Sequence, residues 1–127
     1  MAKTILTKHF TLEEFSHSST AKARGIDNTV PKQLVPALRN LCERVLEPLR
    51  ERVKEPVIIS SGYRCPALNR AVGGSNTSQH MKGEACDIYV EDVEKLRKWF
   101  AILMDGDFDQ LIFERVLKSD SCLIYVN

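Results

Sequence analysis

The sequence has little charge of either sign to spare: 18 lysines and arginines stand against 17 aspartates and glutamates, a formal net charge of +1 over 127 residues. Proteins that bind nucleic acid gather Lys and Arg on one face, and so even a balance leaves no such footprint. Long hydrophobic runs are missing as well. Stretches such as 101–104, "AILM", fall far short of the ~20 apolar residues that span a membrane. Behind Met1 come Ala2, Lys3, Thr4 and Ile5, with no apolar signal core and no small-residue cleavage site, so synthesis in the cytoplasm is expected. Cysteine is sparse, and Cys42, Cys65, Cys86 and Cys122 lie too far apart for paired CxxC metal knuckles. They read as small buried hydrophobes, with a Cys65 to Cys86 bridge as the alternative.

What is present predicts one α+β domain over 1–127, with a small, mostly antiparallel sheet flanked by helices. Thr11 to Glu14 has the form of a capping box, opening a short helix that ends near His17. Residues 16–28 read as a polar connection turning at Gly25. From Pro31, the apolar residues Leu34, Leu38, Leu41, Val45, Leu49 and Val53 recur at helical spacing, with Pro48 expected to kink or divide the helix. A buried strand is expected over 56–60, a short helix from Pro66 to Ala71 stopped by Gly73 and Gly74, and a strand over 85–90. Val93, Leu96, Trp99, Phe100 and Leu103 mark an amphipathic helix, followed by a turn at 105–107 and strands over 110–113 and 122–126. Phe108, Leu111 and Phe113 are expected in the core, and Asp109 in a turn.

The segment 61–88, "SGYRCPALNRAVGGSNTSQHMKGEACDI", has little helical or strand periodicity, yet it holds two arginines, a histidine, an aspartate and four of the six glycines. His80 in a loop and Asp87 entering a strand, separated by six residues that include Gly83, can aim an imidazole and a carboxylate at one point, as a zinc ion requires. Gly73 and Gly74 can take positive φ at a helix end, and Gly83 can turn the loop closely past a metal.

Ser78 to Asp87 follows the pattern SxHxxGxAxD, and "SGYRCPALNRAVGG" stands at the matching distance upstream. With "HFTLEEF", the long helix and "FDQLIFE", these stretches resemble the M15-type zinc D-alanyl-D-alanine carboxypeptidases, a murein peptidase family that includes phage endolysins. The resemblance covers nearly the whole chain. It implies a hedgehog/DD-peptidase-like fold, a zinc cofactor and hydrolysis of the peptide stems of peptidoglycan, by a carboxypeptidase or endopeptidase acting on the cell wall. By resemblance His80 and Asp87 are zinc ligands, Arg64 binds the substrate carboxylate or a developing oxyanion, and Ser78 and Gln79 bond the substrate near the metal.

The chain departs from the family at one point. A stretch resembling "WxHVS" supplies the family's third ligand, and here 123–127 reads "LIYVN", with Tyr125 at the histidine position. A phenol is a poor zinc ligand unless the metal drives its deprotonation. Cys122, three positions away on a strand, faces the other way, and His9 and His17 read as surface or capping residues. The general base, a carboxylate near the third ligand, is assigned to Glu114, with Asp120 as the outsider. Two functions follow: a zinc peptidase, or a murein-peptide-binding protein that has lost catalysis on the same scaffold.

Overall fold

The computed structural model describes residues 4–106, 108, 110–115 and 122–127, with Phe113, Glu114 and Arg115 described in backbone only. The turn residues Asp107 and Asp109, and Asp120, lie outside the described residues. The architecture is the expected α+β. A two-stranded antiparallel hairpin, β1 (Ile5–Thr7) and β2 (Phe10–Thr11), precedes a four-stranded sheet in the order β3-β4-β6-β5, with all neighbours antiparallel. Its strands are β3 (Ile58–Ser61), β4 (Cys86–Val90), β5 (Leu111–Arg115) and β6 (Cys122–Val126).

The capping box opens α1 (Leu12–Ser16): the Glu14 carboxylate accepts from the Thr11 amide at 2.6 Å and from its hydroxyl at 3.2 Å. The polar stretch that follows is not a bare connection. It contains α2 (Ser19–Arg24), whose N-cap Ser18 accepts from the Ala21 amide and whose C-cap Gly25 sits at φ 65°. Ser18 is a good N-cap residue, but the helix behind it has almost no apolar face, so periodicity gave no sign of it.

The main helix is divided just ahead of Pro48, as expected. A 3-10 turn (Lys32–Leu34) leads into α3 (Val35–Leu41), a π turn (Cys42–Leu46) and α4 (Glu47–Val53). The Glu47 amide reaches back to the Cys42 carbonyl, and this wider turn gives the Pro48 ring the clearance that a regular α turn would deny it. Further on lie α5 (Pro66–Ala71) and α6 (Val93–Met104).

The side chains of Cys86, Ile88, Val90, Cys122, Ile124 and Val126 point into one hydrophobic cluster, where Leu38, Cys42, Leu46 and Leu49 meet Leu96, Trp99 and Leu103. Phe100, Phe108 and Leu111 are half-buried against it. Strand alternation sends Asp87, Tyr89, Leu123 and Tyr125 to the opposite face. The expected buried strand is an edge: β3 has a partner on one side only, Ile59 is buried, and Ile58 is 55% exposed on the open face. A run of β-branched residues does not tell a central strand from an edge. Cys65 and Cys86 are unbridged thiols. Cys86 is fully buried, which drives its pKa well up, and Cys65 caps α5, its Sγ accepting from the Leu68 amide at 3.4 Å.

Candidate metal and substrate site

The site is assembled by the chain between β3 and β4, and the assembly starts at Gly62. A Cβ there would lie 2.7 Å from the backbone of Phe15, so only glycine lets the loop pass against α1. The Tyr63 amide donates to the Phe15 carbonyl at 2.7 Å. Asn28, buried, fastens the other side: its Nδ2 donates to the carbonyls of Ser16 and Tyr63, both at 2.9 Å, and its Oδ1 accepts from the Cys65 amide at 2.8 Å. The Arg64 amide then donates to the His80 carbonyl at 3.2 Å, which sets these two residues side by side.

His80 lies in a 3-10 turn, Gln79–Lys82, with Ser78 as N-cap. The Ser78 Oγ accepts from the His80 amide at 3.2 Å, so this hydroxyl positions the histidine. Gly83 closes the turn at φ 68°, and what a Cβ there would crowd is the Leu34 carbonyl, at 3.3 Å. Its tight approach is thus to the helical layer, not the passage by a metal expected from the sequence. Gly74 likewise is not at positive φ; a Cβ on it would fall 2.1 Å from Asn69 Oδ1.

The His80 ring is 3% exposed, with Nδ1 2.7 Å from the Gly62 carbonyl oxygen. A carbonyl only accepts, so Nδ1 carries the proton and donates it. In the neutral ring Nε2 is then a lone pair, and it faces Asp87 Oδ2 at 3.4 Å. Two acceptors at that separation call for a proton or a cation between them, and a backbone carbonyl behind the imidazole is how metal-binding histidines are commonly held.

Asp87 pairs across β4 and β6 with Tyr125, whose ring centroid lies 5.6 Å from that of His80. Burial pushes the Tyr125 hydroxyl pKa up and the Asp87 charge adds to this; the Asn127 Nδ2 donating to its oxygen at 3.0 Å and the Arg64 charge act the other way. Burial lowers the pKa of the half-buried Arg64 guanidinium, while the charges of Asp87 and Tyr125 raise it. Its Nε is buried without a hydrogen-bond partner among the described residues. Arg64 and Asp87 line a cleft of about 330 Å³ with His17, Ser18, Ser61 and Leu68.

The structure thus places His80, Asp87, Tyr125 and Arg64 near one another. His17 is not only a helix cap, because it also faces the cleft. His9 is far from the site in role, bound to Glu47 at 2.6 Å. The Glu114 backbone pairs with Leu123, one strand from Tyr125; its carboxylate lies outside the described residues. Gly62 and Asn28 were missed as determinants of the site, although a glycine directly after a β-rich run is the kind of signal that marks close backbone approach.

His80 and Asp87 fit a divalent metal: one imidazole of fixed tautomer and one carboxylate on a rigid strand. Beyond them the fit stops. No group of three His, Cys, Asp or Glu suited to a metal occurs among the described residues, and the neighbour at the third position is a phenol.

The sheet carries the core helices on one face and, on the other, a His–Asp pair beside a cleft that Arg64 and Asp87 line. The family model for Peptidase M15 matches residues 8–116, and the chain belongs to that family of peptidases. No curated protein matches it. No helix among the described residues is long and apolar enough to cross a membrane.

Proposed function

We propose that this protein is a peptidase acting on the peptide stems of peptidoglycan, with a carboxylate-bearing D-alanine end as the group recognised. The observation that carries this reading is the His80 Nε2 facing Asp87 Oδ2 at 3.4 Å, fixed from behind by the Gly62 carbonyl, beside a half-buried arginine in a cleft. His80 and Asp87 would hold the family's zinc, which when bound would supply Lewis acidity to the scissile carbonyl and an activated water.

The chain's own groups carry the remaining tasks. Arg64, with Nε lacking a partner among the described residues and a planar fork suited to carboxylates, anchors the substrate's terminal carboxylate. Ser78 uses one lone pair on the His80 amide and keeps its O–H for the substrate, with Gln79 next to it. Glu114 takes a proton from the attacking water and delivers it to the leaving amine, so that water adds across the broken C–N bond. The alternative, a murein-peptide-binding protein without turnover, is favoured by Tyr125 standing where a third ligand is needed.

The test is release of D-alanine from a pentapeptide muropeptide by zinc-replete protein. His80→Ala and Asp87→Ala are each expected to abolish turnover and metal retention with the circular dichroism spectrum unchanged. Wild-type binding of the peptide without turnover selects the alternative, and full activity in either variant overturns the metal-site reading.

A further inference from the structure

Behind the Arg64 guanidinium stands a polar group with no task in the site described so far. Asn69, on α5, is 2% exposed, and its Nδ2 donates to the Ser75 carbonyl at 2.9 Å, which fixes Oδ1 on the other side of the carboxamide. That oxygen is buried without a donor among the described residues. Its position is set against Gly74, whose amide donates to the Asn69 carbonyl at 2.8 Å. The point that a Gly74 Cβ would occupy lies 2.1 Å from Asn69 Oδ1 and 3.1 Å from Arg64 Nη1, so the amide oxygen and the guanidinium flank the same small space. A buried acceptor without a donor costs stability, and here its negative end lies beside a cation. The acceptor is neutral, so it orients the guanidinium without cancelling its charge, and Arg64 Nε stays without a partner among the described residues. A carboxylate at position 69 would instead form an ion pair and occupy the fork.

We propose that Asn69 and Gly74 are positioning residues for Arg64, and that together they set the preference of the cleft for a peptide ending in a free carboxylate over the same peptide ending in an amide. Neither touches the substrate. Asn69 acts through its carboxamide dipole and Gly74 through the side chain it lacks, since a methyl there would push on an Asn69 held by Ser75 and on Nη1 itself. The inference rests on the reading of Arg64 as the carboxylate anchor.

The test is calorimetric binding to the zinc-replete full chain of an uncleavable D-alanyl-D-alanine peptide, its last amide replaced by a ketomethylene link, compared as free acid and as C-terminal amide. Wild type is expected to bind the acid roughly tenfold tighter or more, the scale of a charge-assisted hydrogen bond, and Arg64→Ala to lose that preference. Asn69→Asp, nearly isosteric, and Gly74→Ala are each expected to cut it to about threefold or less. A general loosening of the fold weakens both peptides alike and leaves their ratio unchanged. A ratio kept at the wild-type value in either variant that retains the wild-type circular dichroism spectrum therefore overturns the inference alone. No preference in wild type, or one that survives Arg64→Ala, overturns the anchor reading and the inference with it.

Discussion

Gly62 does two things with one missing side chain. Its lack of a Cβ lets the chain lie against Phe15, and its carbonyl fixes the tautomer of His80. An added methyl would sit 2.7 Å from backbone, which cannot rotate away as a side-chain tip can. Gly62→Ala is therefore expected to destabilise the protein by about 1–3 kcal/mol, the usual cost of overpacking. It should also weaken metal retention, because the shifted carbonyl no longer holds Nδ1–H. A denaturation curve and a metal-content measurement on the same sample check both effects. Retention unchanged in a destabilised variant would mean that the 2.7 Å bond does not orient the ring. Asn28 is comparable: Asn28→Ala removes three hydrogen bonds and leaves the Cys65 amide short of its acceptor, an expected loss of about 2–3 kcal/mol, read in the same denaturation experiment.

At the scale of elements, the N-terminal hairpin is strapped to the start of α4. The Thr7 hydroxyl donates to Glu47 at 2.5 Å, the His9 amide donates at 2.8 Å, and the His9 ring sits at 2.6 Å. Burial alone would raise the Glu47 pKa, but the bonds from Thr7 and His9 outweigh it and hold the value below 4.5. A depressed carboxylate adds stability that is fully present above its unfolded value and is lost as pH falls through the folded one. The stability gap between wild type and Glu47→Gln, read from urea midpoints, is thus expected to be constant near neutrality and to close below 4.5. A gap that stays open in acid would place the strap's strength elsewhere.

Elements of this kind also mark what was legible in the sequence. The long helix, α5, α6 and the two central strands all announced themselves through spacing and punctuation, as did the His80 to Asp87 loop. The hairpin, α2 and the edge character of β3 did not, since the first two have almost no apolar periodicity and the third depends on which strand ends up beside it. The π turn that accommodates Pro48 depends on hydrogen bonding five residues apart, which no single residue type encodes.

For the whole molecule, the site joins two parts of unequal support. Asp87 and Tyr125 stand on β4 and β6, the two strands with partners on both sides and a core face at 0–1% exposure. Arg64 and His80 stand on the segment between β3 and β4, held by Asn28, Gly62 and one backbone bond between them. Regions with fewer buried apolar contacts open at lower free energy than the core. The Arg64 amide, bonded to the His80 carbonyl, is therefore expected to exchange its hydrogen through a partial opening several-fold more often than the amides of Ile88 and Ile124, which exchange only on global unfolding. Native-state hydrogen exchange across low denaturant concentrations measures both. Equal opening free energies would make loop and sheet one cooperative unit, and binding at the site would then stabilise the whole chain. Unequal values mean that a bound ion, by joining His80 on the loop to Asp87 on the sheet, raises the protection of Arg64 toward that of the core and leaves Ile88 the slower of the two.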